Sequence, residues 1–92
     1  MEINFRDISI PDGISRRSYT RADVRKDFAD IIYRTGAGIE AHALALKIYN
    51  SQGAEDYSDG ECKMIRRFAG LCSPAFIDAV EDLFNNYKKE GI

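Results

Sequence analysis

The run Gly38-Ile39-Glu40-Ala41-His42-Ala43-Leu44-Ala45-Leu46-Lys47-Ile48-Tyr49 is the most apolar in the chain and has a glycine close to each end. Ala41, Leu44, Ala45 and Ile48 recur at i, i+3, i+4, i+7, which places them on one face of an α-helix. His42, Leu46 and Tyr49 form a second row beside them, so only Glu40, Lys47 and Ala43 are left for water. A helix apolar over most of its circumference belongs in a core or under a partner. The expectation is a central helix from about Gly38 to Ser51, sheathed by the rest of the chain. The run is too short and too charged to span a bilayer, which needs roughly 20 apolar residues.

The flanking punctuation predicts the other elements. Ile3 and Phe5 alternate with polar residues, as do Ile8 and Ile10, but the two pairs are out of phase, which predicts a break at Arg6-Asp7. Pro11-Asp12-Gly13 is a turn signal, and Ile14 to Tyr19 is expected to return as a second strand. Thr20-Arg21-Ala22-Asp23 reads as a capping box with aspartate for glutamate, opening a helix from Arg21 to about Arg34. Val24, Phe28, Ile31, Ile32 and Thr35 give that helix its stripe, and Gly36 is its expected left-handed terminator. Ser58-Asp59-Gly60-Glu61 is a second capping box and opens a helix to about Leu71, with Cys62, Ile65, Phe68, Ala69 and Cys72 on its buried side. Ser73-Pro74 starts a fourth helix running to about Lys89, striped by Phe76, Ile77, Val80, Leu83, Phe84 and Tyr87. Lys88 and Lys89 suit the negative end of its dipole. The expected fold is therefore mainly α within an α+β class. It is one domain over residues 1–92, with a β-hairpin over 1–19 and a compact four-helix unit over 20–92.

Charge narrows the function classes. A net charge of -2 argues against a general nucleic-acid binder, which carries a marked basic excess. The charge is uneven, however. Arg6, Arg16, Arg17, Arg21, Arg25 and Lys26 crowd the first third, and Glu55, Asp56, Asp59 and Glu61 follow the central helix. Cys62 and Cys72 are the only cysteines, too far apart on one helix for a disulfide, and no basic-then-apolar leader precedes them. The expectation is two thiols in a reducing cytoplasm.

The candidate chemistry is sparse. Gly36-Ala37-Gly38-Ile39-Glu40-Ala41 matches a glycine-rich pattern that opens a helix under phosphates, so Gly36 and Gly38 are weak anion-binding candidates, for instance for a nucleotide. The fingerprint needs a preceding strand, whereas a helix is expected here. His42 is the only histidine, and a metal site or a cysteine–histidine pair cannot be assembled from sequence spacing alone. No catalytic residue, metal ligand or cofactor is assigned. The first two helices have the lengths of a helix-turn-helix, but the second offers few polar side chains to base edges. If nucleic acid is bound, Arg16, Arg17, Arg21 and Arg25 are the candidates, through phosphates. The five tyrosines suit surfaces with one wet and one apolar side. Tyr57, in the acidic loop, and Tyr19, on the hairpin, are candidate partner contacts together with those arginines.

Ile31-Ile32-Tyr33, Ala43-Leu44-Ala45-Leu46-Lys47-Ile48-Tyr49 and Ser73-Pro74-Ala75-Phe76-Ile77-Asp78-Ala79 carry a resemblance. They resemble segments of small uncharacterised proteins encoded in bacteriophages, prophages and mobile elements of Bacteroidales-type bacteria. The resemblance implies an intracellular, phage-derived accessory or assembly protein and carries over no site residues; action on a protein partner or on itself is expected from the residues, through the hairpin edge, the tyrosines and the separated basic and acidic patches. Three expectations follow in order: a non-enzymatic interaction protein, a small nucleic-acid binder, and a binder of a small anionic ligand.

Overall fold

Two β-ribbons, not one, hold the N-terminal third against the helices. The computed structural model describes residues 1–90, with side chains to Asn86, so the expectations for Tyr87, Lys88 and Lys89 lie outside the described side chains. Strand β1 (Glu2–Ile3) pairs antiparallel with β4 (Glu55–Asp56), in the register Glu2 opposite Asp56. Strand β2 (Ile8–Pro11) pairs antiparallel with β3 (Tyr19–Ala22), in the register Ile8 opposite Ala22 and Pro11 opposite Tyr19. The break at Arg6-Asp7 is real: the Asp7 amide turns back onto the Asn4 carbonyl, and the chain leaves one sheet for the other.

The return strand lies later than its turn signal suggests. Residues 12–18 form a longer loop, closed by the Asp12 amide on the Ser18 carbonyl. The Asp12 carboxylate accepts from the Ser18 and Thr20 hydroxyls at 2.8 and 2.6 Å. Thr20 is thereby spent on the hairpin and caps no helix. Helix α1 runs Arg25–Thr35 with Val24 as its N-cap residue and no side-chain cap, and Asp23 just before it accepts the Arg25 amide at 3.1 Å.

Helices α2 (Gly38–Asn50), α3 (Asp59–Ala69) and α4 (Pro74–Glu90) follow. The second capping box forms as expected: Glu61 N–H donates to Ser58 Oγ, and Ser58 N–H donates to Glu61 Oε1. Ser73 opens α4, its Oγ accepting the Phe76 amide. The architecture is α+β, with four helices and two small antiparallel sheets.

One core joins all of these elements. Its centre is a run of aromatic rings, with Phe5 to Phe28 at 5.5 Å, Phe28 to Phe76 at 5.1 Å and Phe5 to Tyr57 at 5.6 Å. Ile32, Leu44, Ile48, Ile65 and Val80 close around them. The expected stripes supply most of it, although Thr35 is exposed and Ile31 half-buried. Gly36 is extended, not left-handed, at φ -75° and ψ 158°; the positive φ of +85° falls on Gly38. Gly36 is needed for another reason, since a Cβ there would sit 2.7 Å from Ala41 Cβ and 3.0 Å from Phe68 Cζ. α1, α2 and α3 meet at this point.

Candidate docking surface

Helix α2 is not sheathed. Its first row, Ala41, Leu44, Ala45 and Ile48, is buried as its spacing requires. Its second row faces outward: Leu46 is 49% exposed, Tyr49 51% and, two turns before Leu46, Ile39 82%. His42 is exposed as well and lies against the ring of Tyr33, centroid to centroid 5.7 Å, with Tyr33 itself 65% exposed. The reason is geometric. α1 and α2 pack side by side as an antiparallel pair and turn one common side to the core. Ninety-two residues supply no further layer for the other side.

Between the two helices this outer side forms a groove of about 310 Å³, lined by Ala29, Asp30, Tyr33, Ala45, Leu46 and Tyr49. Ala29 and Ala45 form its floor because small side chains let the helices approach. Lys26 and Asp30 pair across one turn of α1 at 3.3 Å, so the charges beside the groove cancel locally. An exposed apolar face rimmed by polar groups is the kind of surface that protein contacts, membranes and ligand grooves use.

The residues singled out in the sequence lie elsewhere. Tyr57 is a correction: it is 1% exposed, wedged against Phe5 with Lys47 Nζ 4.6 Å above its ring. It follows a short strand that lies on β1, which draws it into the core; it is no contact residue. Its hydroxyl has no hydrogen-bond partner, although Ser51 lies near enough to lower its pKa slightly. Burial dominates and pushes that pKa up to about 12.

Two signed outcomes follow for Tyr57. Tyr57→Phe removes a buried, unsatisfied polar atom and is expected to stabilise the fold by about 1 kcal/mol in denaturant unfolding. Because the folded-state pKa lies above the ordinary 10.0, the unfolded chain loses its proton first as pH rises. Wild-type stability is therefore expected to fall between about pH 10 and about pH 12, and the Phe variant to lack that component of the loss. Unfolding midpoints of the two proteins across that alkaline range test it.

Lys47, expected to face water, is instead a clamp. Its ammonium donates to the Asp56 carbonyl at 2.6 Å and to Glu61 Oε1 at 3.0 Å, tying α2 to β4 and to the start of α3. Burial pushes the Glu61 carboxyl up, but the Ser58 amide and Lys47 together hold it below its usual value.

The arginines are largely matched by carboxylates of the same chain. Arg21 grips Asp7 in a bidentate pair at 2.6 and 2.8 Å, and Arg16 pairs with Asp82 on α4. Arg25 is corrected as a partner contact: it is half-buried, pairs with Asp23 and donates Nη1 to the Ser51 carbonyl at 2.6 Å, which ties α1 to the end of α2. The guanidinium groups hold Asp7 and Asp23 below the usual carboxylate range. Arg17 and Tyr19 are exposed on the hairpin as expected. Tyr19 lines a shallow depression with Asp82 and Leu83 of α4.

The glycine turn and the thiols complete the inventory. The Gly36 amide donates to the Ile32 carbonyl at 2.8 Å, and its α-carbon is pressed on Ala41 and Phe68; it is not open to an anion. Gly38 is open, and Glu40 places a carboxylate in the same first turn of α2. Cys62 is buried and Cys72 half-buried, and both are free. Cys72 follows α3 instead of continuing it. The thiols lie 3.7 Å from the Tyr57 and Phe68 carbonyls, and burial pushes both pKa values up. Among the described residues no group of His, Cys, Asp and Glu is placed to hold a metal ion, and no helix is long and apolar enough to cross a membrane.

Comparison with family models, curated proteins and solved structures finds no match for this chain. Its function is therefore read from the surface itself. The spacing of His42, Leu46 and Tyr49 puts them in one row of α2, which the sequence leads one to expect under other elements; the structure leaves that row, with Ile39, exposed. The signal that separates the readings is the number of elements: one helix with two apolar rows, in a chain with too few neighbours to cover both.

Proposed function

We propose that this chain is a non-enzymatic interaction module, of the accessory or assembly kind that its resemblance to phage-encoded proteins implies. It docks through the outer face of the α1–α2 pair. The observation that carries this reading is the clustering of Tyr33, Ile39, Leu46 and Tyr49, four large apolar side chains each about half or more exposed, on one face. Scattered exposed hydrophobics need no explanation, but a contiguous set beside a groove does. Tyrosines are well suited to the task, because they add contact area at little conformational cost and keep a polar end for the rim.

Photocrosslinking tests the reading. A photoreactive phenylalanine analogue replacing Leu46, in the intact chain within its native host, is expected to yield protein adducts on illumination. The same analogue at Lys63, exposed on α3, is expected to yield none. Absence of any adduct at position 46 would remove the reading.

A further inference from the structure

The outward row of α2 has a symmetry that nothing in the monomer uses. Ile39, His42, Leu46 and Tyr49 are spaced 3, 4, 3, the a/d seam of a helix pair. Their positions are mirrored about residue 44: 39 corresponds to 49, and 42 to 46. Leu44 itself points to the core, so the midpoint of the seam lies opposite it, on the exposed side.

We infer that a second copy of this chain occupies the face, with the two α2 helices antiparallel across a twofold axis at the level of Leu44. This rests on the docking reading above and names its occupant. In that arrangement Ile39 of each copy meets Tyr49 of the other, and His42 meets Leu46. A branched aliphatic side chain then packs on a ring at each end, with two identical layers between. An isologous contact requires a patch that fits its own copy; any row spaced 3, 4, 3 can face itself antiparallel, and here that register sets Ile39 on the Tyr49 ring at both ends. Charge agrees: Lys26 is already paired with Asp30, so two copies meet without like-charge repulsion from those residues. Tyr33, stacked beside His42, extends the contact onto α1.

The area sets the strength. At 65% and 51% exposure, and about 200 Å² for a whole tyrosine, Tyr33 and Tyr49 leave roughly 230 Å² open per copy. With Ile39 and Leu46 added on both copies, the buried surface still falls short of the ~1,200 Å² typical of stable complexes. The dimer is therefore weak and appears with concentration.

Sedimentation equilibrium from roughly 1 µM to 1 mM tests this. The weight-average mass is expected to rise from one copy toward two across that range. Leu46→Glu is expected to hold the mass at one copy with an unchanged circular dichroism spectrum, since position 46 is half exposed. The register has its own test. Ile39→Lys and Tyr49→Glu alone are each expected to abolish the dimer, and the double variant to restore it, because position 39 faces position 49 of the other copy. Within one chain those positions stand about 15 Å apart, too far to interact.

A double variant that stays monomeric, or a dimer that survives Leu46→Glu, would overturn the inference. So would a wild-type chain that remains one copy at the highest concentration. In that last case the docking reading stands or falls separately: adducts at position 46 to a different protein keep it, and no adducts at all end it.

Discussion

Phe28→Ala is expected to lower the unfolding free energy by about 3–5 kcal/mol, the usual range for truncating a buried phenylalanine. Phe28 is 1% exposed and touches Phe5 on one side and Phe76 on the other. It thus joins the N-terminal ribbon to α4 through α1. The surrounding elements cannot collapse onto the gap together, because each is held by its own backbone pairing. A domain of this length has roughly 5–14 kcal/mol in all. At the lower end of that range the loss takes the variant to the edge of folding. Urea titration measures it, as a drop in midpoint with the slope unchanged. A loss under about 1 kcal/mol would mean that the ring is not central to the packing.

Gly36→Ala is expected to cost about 1–3 kcal/mol through overpacking. The backbone there is ordinary for any residue, so the penalty comes from contact: a new Cβ meets Ala41 Cβ and the Ile32 carbonyl oxygen, both at 2.7 Å. The carbonyl belongs to the backbone of α1 and cannot swing aside. Without this crowding, replacing glycine would stabilise by about 0.4–1 kcal/mol through the unfolded chain. The sign of the measured change therefore decides. Gly38→Ala is a useful contrast, because its site is open and its penalty is a φ of +85°. Adding Ala41→Gly is expected to relieve part of the Gly36 penalty and none of the Gly38 one.

The helices were legible because their signals are local. Ser58 and Glu61 are three residues apart, and Ser73-Pro74 are adjacent. The stripes of α3 and α4 each fall within a few turns. The strand pairings were less legible. Thr20 to Asp23 has the look of a helix cap, and only the position of Asp12 across the hairpin shows that Thr20 is already engaged. Pairing of Glu2–Ile3 with Glu55–Asp56 joins segments that share no pattern, and that pairing buries Tyr57. The exposure of the second row of α2 was hidden for a different reason. Periodicity reports which side chains share a face of α2, but not whether another element covers that face. The same limit hid the roles of Lys47 and Arg25, whose partners lie on other elements.

The closure of β1 on β4 also has a consequence for how the chain is made. During synthesis the first residues emerge and wait, because their sheet partner lies more than fifty positions downstream. Until Glu55 and Asp56 clear the ribosome, Ile3 lacks its strand partner and Phe5 lacks Tyr57, while the β2–β3 ribbon and the α1–α2 pair are already free to form. Nascent chains whose last residue outside the exit tunnel precedes Glu55 are therefore expected to present a protease-sensitive β1 segment on a partly folded body, and chains in which Tyr57 has also left the tunnel to protect it.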